Sequence, residues 1–117
     1  KPYFDKMARY FYDVEESQKL KFNSQFTMYN NRCFLQNHKD GKVDGRLCVI
    51  LTYLNEEYDE NNGGLLILNK NESILPKIGN IAILDLSKFD IEHQVTEVVG
   101  DKNRYCVLSF IGYPNAE

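Results

Sequence analysis

The sequence has no tryptophan, only two methionines, two histidines and three prolines, and an odd three cysteines. Each shortage narrows the reading. Three cysteines cannot form a fully paired disulfide framework. Cys48 and Cys106 sit inside apolar runs and Cys33 beside one, where cysteine serves as a small buried hydrophobe. No apolar run approaches the roughly 20 residues that span a bilayer, and none of these residues reads as a signal segment. Asn71-Glu72-Ser73 fits the glycosylation acceptor pattern, but without a signal segment the match is read as chance. A reducing, intracellular home, cytoplasmic or nuclear, is the expectation. Positive charge is also short: a net charge of −3 argues against nucleic acid or a membrane surface as partner, since both demand a basic patch. The first residues, Lys1-Pro2, with no methionine, read as the start of a piece of a longer chain.

What is present is aromatic and strand-forming. At 117 residues the chain is read as a single domain, 1–117, able to bury one core. Its eight Tyr and seven Phe lean toward β-structure. Phe4, Met7, Phe11 and Val14 recur at spacings of three and four with charges between them, which predicts a flanking helix over 1–18. From Leu20 the period falls to two. Strands are expected near 19–23, 25–29, 33–38, 46–54, 64–68, 80–85, 91–98 and 104–112, punctuated by Asn30-Asn31, Asp40-Gly41, Asp44-Gly45, Asn62-Gly63-Gly64, Gly79-Asn80 and Gly100-Asp101. Many short strands at this spacing predict a mainly β sandwich or barrel with a helix on its flank, the core spanning 19–114. The stretch from Asn55 to Gly64 carries four acids and reads as a solvated hairpin loop, or as a gate if it lies at a barrel mouth.

The two histidines raise the chemical question. His38 and Asp40 are two apart, so on a strand they share a face. His93 lies in a second alternating stretch, Asp90-Ile-Glu-His-Gln-Val. Two imidazoles and one carboxylate are the ligand set that leaves three positions of an Fe(II) open for cosubstrate and dioxygen. The same histidines could equally be satisfied core residues. Arg104 opens the apolar run Arg-Tyr-Cys-Val-Leu-Ser-Phe-Ile-Gly. If Cys106, Leu108 and Phe110 face inward, period two turns Arg104 inward too, where a guanidinium needs an anion. Its alternative is an ion pair with Asp101 or Glu97 at the strand end. Tyr53 closes another apolar run, and a buried hydroxyl there wants a partner. A small dicarboxylate, clamped by Arg104 and Tyr53 and chelating a metal at its other end, would serve both.

In order, these pieces resemble the Fe(II)- and 2-oxoglutarate-dependent dioxygenases, specifically their prolyl 4-hydroxylase-like branch. The resemblance runs from about Phe22 to Tyr113. It rests on Tyr29-Asn-Asn-Arg-Cys-Phe-Leu-Gln-Asn-His-Lys-Asp, Arg46 through Tyr53-Leu-Asn, Asn62-Gly-Gly-Leu-Leu-Ile-Leu, Gly79-Asn-Ile-Ala-Ile-Leu, Glu92-His-Gln-Val and Asn103-Arg-Tyr-Cys-Val-Leu-Ser-Phe. It implies a double-stranded β-helix, a jelly-roll or cupin-like distorted barrel. It implies His38, Asp40 and His93 as metal ligands and catalytic centre. Arg104, Tyr53 and Tyr29 would hold the 2-oxoglutarate carboxylate, and Arg46 would line the substrate side. The implied cofactors are Fe(II), 2-oxoglutarate, dioxygen and ascorbate. The implied reaction hydroxylates a C–H bond, foremost a prolyl residue of a protein or peptide, and releases succinate and carbon dioxide. Two positions depart from the pattern: Leu108 stands where the family often has serine or threonine, and Phe110 where it often has tryptophan. The competing class of function is a catalytically inactive β-helix module used for protein interaction.

Overall fold

In the computed structural model, the described residues are 2–12, 14–15, 19–39, 45–87 and 91–114. Among these, one α-helix, α1 (Pro2–Tyr12), leads into eight strands: β1 (Lys21–Tyr29), β2 (Leu35–His38), β3 (Arg46–Tyr53), β4 (Leu66–Leu68), β5 (Glu72–Ile74), β6 (Ile81–Asp85), β7 (His93–Val95) and β8 (Arg104–Gly112). They form two four-stranded sheets, ordered β1-β8-β3-β6 and β2-β7-β4-β5, with every named pair antiparallel. The chain crosses between the sheets repeatedly, so the second sheet is complete only with β7 and the first only with β8. This is the two-sheet, mainly β arrangement that the strand pattern predicts, in the jelly-roll form that the resemblance implies.

Alternation decides what each face does. Val49, Leu51 and Tyr53 of β3, Ala82 and Leu84 of β6 and Cys106 of β8 point between the sheets, where Leu66 and Val95 of the smaller sheet meet them. The opposite face of the larger sheet receives α1: Ala8, with Met7 and Tyr12 beside it, packs on Cys48, Ile50 and Ile111. The helix ends earlier than the stripe suggests. Val14 N–H bonds back to the Arg9 carbonyl at 3.0 Å, and Val14, buried, follows the last turn rather than extending it. Arg9 also pairs with Asp5 one turn earlier, at 3.0 Å. The side chains of Phe4 and Phe11 lie outside the described part.

Two strand expectations change. Segments 19–23 and 25–29 are one strand, because Asn23 and Ser24 continue the ladder to β8 and the Ser24 hydroxyl meets that of Ser109 at 3.2 Å. Strand β5 was not expected, since Glu-Ser-Ile has no apolar alternation. It forms because Asn69 and Lys70, both at positive φ, reverse the chain and return it alongside β4. No helix among the described residues is long and apolar enough to cross a membrane.

Candidate active site

The two histidines enter from neighbouring strands in register. His38 ends β2 and His93 begins β7, and they are directly paired, with ring centroids 4.4 Å apart. Each ring is aimed by its own strand: His38 Nδ1 lies 2.9 Å from the Gln36 carbonyl, and His93 Nδ1 lies 2.9 Å from that of Ile91. A carbonyl oxygen only accepts, so each Nδ1 is the donor in its contact. Two converging imidazoles, each fixed through Nδ1 by its own backbone, are a start toward a divalent metal site. Asp40, the expected third ligand, lies outside the described residues, and among those described no cluster of three candidate ligands forms. The neighbouring Glu92 carboxylate accepts a hydrogen bond from Asn37, which holds its pKa below the usual carboxylate range, with Lys70 3.7 Å away.

A cavity of about 260 Å³ lies between the sheets and carries both histidines. Its other polar groups are Thr27, Tyr29, Arg46 and Arg104, set among Leu and Val side chains with Cys106, Leu108 and Phe110 along β8. Arg104 turns inward as alternation requires and is only 3% exposed. Its Nε donates to the Gly64 carbonyl at 2.7 Å, and its guanidinium carbon lies 5.3 Å from the ring centres of both Tyr29 and Tyr53. Nη2 is buried with no hydrogen-bond partner, and so is the Tyr53 hydroxyl. The alternative of an ion pair at the strand end does not form, for among the described residues no carboxylate meets Arg104. Burial drives the Tyr53 phenol well above its ordinary pKa, and the nearby Arg104 charge opposes that rise.

The other expected positions sort differently. Tyr29 faces the cavity, whereas Tyr53, 1% exposed, sits behind Arg104 and outside the lining. Arg46 reaches the far end of the cavity and lies over the Phe110 ring, 5.2 Å from its centre. Leu108, where a hydroxyl would be usual, offers the cavity only a hydrocarbon surface.

The sequence profile of the 2OG-Fe(II) oxygenase superfamily matches residues 24–112, the whole two-sheet core but for the first residues of β1. The chain belongs to the 2OG-Fe(II) oxygenase superfamily. Solved structures of similar fold include a prolyl-4-hydroxylase from Pseudomonas putida, at 20% identity and a TM-score of 0.66, covering 80% of this chain and 53% of that one. A viral collagen prolyl hydroxylase from Paramecium bursaria Chlorella virus-1 is 20% identical at a TM-score of 0.69, over 94% of this chain and 70% of the other. A Trichoplax adhaerens prolyl hydroxylase, in complex with a hypoxia inducible factor oxygen degradation domain peptide, is 19% identical at 0.65, over 84% and 47%. This 2OG-Fe(II) oxygenase therefore spans about half the length of the first and third of these. At such identities the likeness carries the fold alone. Comparison with curated protein sequences finds no match.

The acidic stretch from Asn55 to Gly64 is the part that sequence reasoning misjudged. It is anchored rather than free: Tyr58 is 3% exposed, and Asp59 caps a short 3₁₀ turn over Glu60–Asn62, with Asn62 closing a reciprocal capping box. Asn55 is buried and clasps β8, accepting from Tyr105 N–H at 2.7 Å and donating to the Tyr105 carbonyl at 3.0 Å. The signal was there in an aromatic and a double glycine amid the acids, but the charges outweighed it.

Proposed function

We propose that this chain is the catalytic core of a 2-oxoglutarate-dependent oxygenase that hydroxylates a C–H bond, most specifically of a prolyl residue in a protein or peptide. The observation that carries the reading is the pair of orphaned buried groups, Arg104 Nη2 and the Tyr53 hydroxyl, beside a cavity that is also lined by two imidazoles aimed by their own backbone. An unpaired donor on a buried guanidinium costs about 1–3 kcal/mol or more. A planar carboxylate reaching it would offset that cost, in the geometry the guanidinium fork favours.

The donor set fits the cofactors that the family implies. His38 and His93 would hold Fe(II) together with Asp40, and Fe(II), when bound, supplies the activation of dioxygen. Arg104 would bind the distal carboxylate of 2-oxoglutarate, with Tyr29 and Tyr53 bracketing its charge. The leucine and valine side chains around the cavity keep water away from the reacting carbon, and the Nδ1–H bonds fix both imidazole planes. Atoms balance simply: one oxygen of dioxygen enters the substrate C–H bond, the other enters succinate, and the lost carboxylate leaves as carbon dioxide. Arg46, at the cavity's far end, would meet the substrate. An ascorbate requirement belongs to the same proposal. Three unpaired cysteines support a reducing, cytoplasmic or nuclear setting. The peptide-bound Trichoplax relative supports a peptide substrate.

The test is anaerobic. Fe(II) and then 2-oxoglutarate are added to the purified protein, and the visible charge-transfer band of a chelated 2-oxoacid is followed. Wild type should show the band, Asp40→Ala and His93→Ala should lose it, and Arg104→Ala should need far more 2-oxoglutarate to reach it. A folded wild-type protein with no band would refute the reading. Proline-bearing peptides that gain one oxygen on turnover would then define the substrate.

A further inference from the structure

Arg104 is aimed by a structure that never enters the cavity. Its Nε donates to the carbonyl of Gly64 at 2.7 Å, so the direction of that carbonyl sets the direction of the guanidinium. Gly64 is in turn fixed from three sides. Its N–H donates to the Glu97 carbonyl at 3.2 Å, and Asn62 accepts from Val99 N–H at 2.8 Å. Those two bonds together make the antiparallel bridge between Gly63 and Val98. The third hold is Tyr58: its hydroxyl donates to the Gly63 carbonyl at 2.9 Å, with a second, longer contact to that of Asn62 at 3.3 Å. The peptide plane leading into Gly64 is thereby pinned by a phenol that is itself buried.

Space around Gly64 is already used. A β-carbon there would lie 2.7 Å from the Tyr58 hydroxyl and 2.8 Å from Arg104 Cδ, at a backbone φ of +68° that disfavours any other residue. The arginine stem and the tyrosine hydroxyl thus flank one glycine, in a contact that only a missing side chain permits. A phenylalanine at 58 would fill the same volume but leave the Gly63 carbonyl without its donor.

We propose that Tyr58 and Gly64 are positioning residues that set the affinity of the site for its dicarboxylate cosubstrate, acting through the aim of Arg104. The stretch read as a solvated loop or gate is on this view a bracket. The inference rests on the reading of the site given under the proposed function, and it deepens that reading by assigning cosubstrate affinity to residues outside the pocket. The physical reason is pre-organisation: a guanidinium already held in place loses less freedom when the carboxylate arrives.

Two readouts separate positioning from mere stability. The first is anaerobic titration of the Fe(II)-loaded protein with 2-oxoglutarate, followed at the visible band. Tyr58→Phe should weaken binding about three- to tenfold, the scale of one neutral hydrogen bond, with the band's position unchanged. Gly64→Ala should weaken it further, and where that variant does not fold, Tyr58→Phe carries the test. The second readout needs no metal or ligand. In metal-free protein the Arg104 Nε–H resonance, assigned by its loss in Arg104→Lys, should exchange with water faster in Tyr58→Phe than in wild type. A purely structural role would lower the unfolding midpoint and leave the affinity of the folded protein untouched. Unchanged 2-oxoglutarate affinity in Tyr58→Phe, whatever the exchange rate, overturns the bracket while leaving the site's reading in place. Absence of a band in wild type overturns both.

Discussion

Replacing Arg104 with methionine isolates what a buried charge does before and after its ligand arrives. In the ligand-free protein the change has opposing parts. It removes the hydrogen bond to the Gly64 carbonyl, worth about 1.5–3 kcal/mol for a charged donor. It also removes two ring contacts, at about 2 kcal/mol each for a desolvated cation. Against this, it relieves the orphaned Nη2, at about 1–3 kcal/mol, and a desolvation penalty of several kcal/mol for a cation held at 3% exposure. The terms nearly cancel. Ligand-free Arg104→Met should therefore lie within about 2 kcal/mol of wild type in a urea titration, despite losing a fully buried polar residue.

With ligand the two proteins should part. Binding at a hundredfold excess over Kd stabilises the folded state by about 2.7 kcal/mol. For a domain of 117 residues each kcal/mol raises the melting midpoint by roughly 3–6 °C. Wild type should thus gain on the order of 8–16 °C from saturating 2-oxoglutarate in calorimetry, with Mn(II) replacing Fe(II) to prevent turnover, and Arg104→Met close to none. Equal gains in the two proteins would refute the reasoning, because the carboxylate would then be held elsewhere. A ligand-free loss beyond about 4 kcal/mol would refute it differently, by showing Arg104 to be a structural ion-pair partner.

Alkaline pH should destabilise the fold. Burial pushes the thiols of Cys48 and Cys106 up to about 11, with Asp85 adding to the rise at Cys48, Tyr12 opposing it there and Arg104 opposing it at Cys106. Because these acids are weaker in the folded state, their stabilising effect is complete below the unfolded value near 9 and is lost as pH climbs through about 11. Unfolding free energies from urea titrations should fall between pH 9 and 11 by up to about 1.4 kcal/mol per pH unit for each thiol; a flat profile would contradict this. Gly63→Ala should cost well over 2 kcal/mol, because a β-carbon there meets the Glu97 carbonyl oxygen and adds to a left-handed strain of about 1–2 kcal/mol. At Gly100, also at positive φ but with open space around the same atom, alanine should cost the strain alone, and equal melting losses at the two sites would show that the collision relaxes away.

Period two told most of what the site needed. It placed Arg104 inward with Cys106, Leu108 and Phe110, and it put His38 and His93 on strands that do pair. Asparagine and glycine marked most of the connections between strands; the reversal between β4 and β5, where Asn69 and Lys70 adopt positive φ without a glycine, was missed. What alternation does not carry is depth. It shows that Tyr53 faces inward, yet not that Tyr53 stands behind Arg104 while Tyr29 faces the cavity. Nor does it weigh one aromatic against four acids, which is why Tyr58 was invisible as an anchor. Local charge describes the exposed residues 56, 57, 59 and 60 well, and the buried one between them follows from tertiary contacts alone.

The site also explains why a jelly roll suits this chemistry. An antiparallel pair brings residues of two distant segments face to face without any dedicated linker, and here it brings His38 opposite His93. Each imidazole then takes its orienting acceptor from the carbonyl two residues earlier in its own chain, so the backbone does the work that a further carboxylate does in many metal sites. The side-chain expense is reserved for the other end of the cavity. There the fold carries a buried cation with an open donor, an arrangement that stability alone would not favour. Backbone-aimed imidazoles at one end and a side-chain cation at the other define a pocket for a molecule that chelates and carries a carboxylate, which is why cosubstrate affinity, rather than metal affinity, should respond to changes around Gly64.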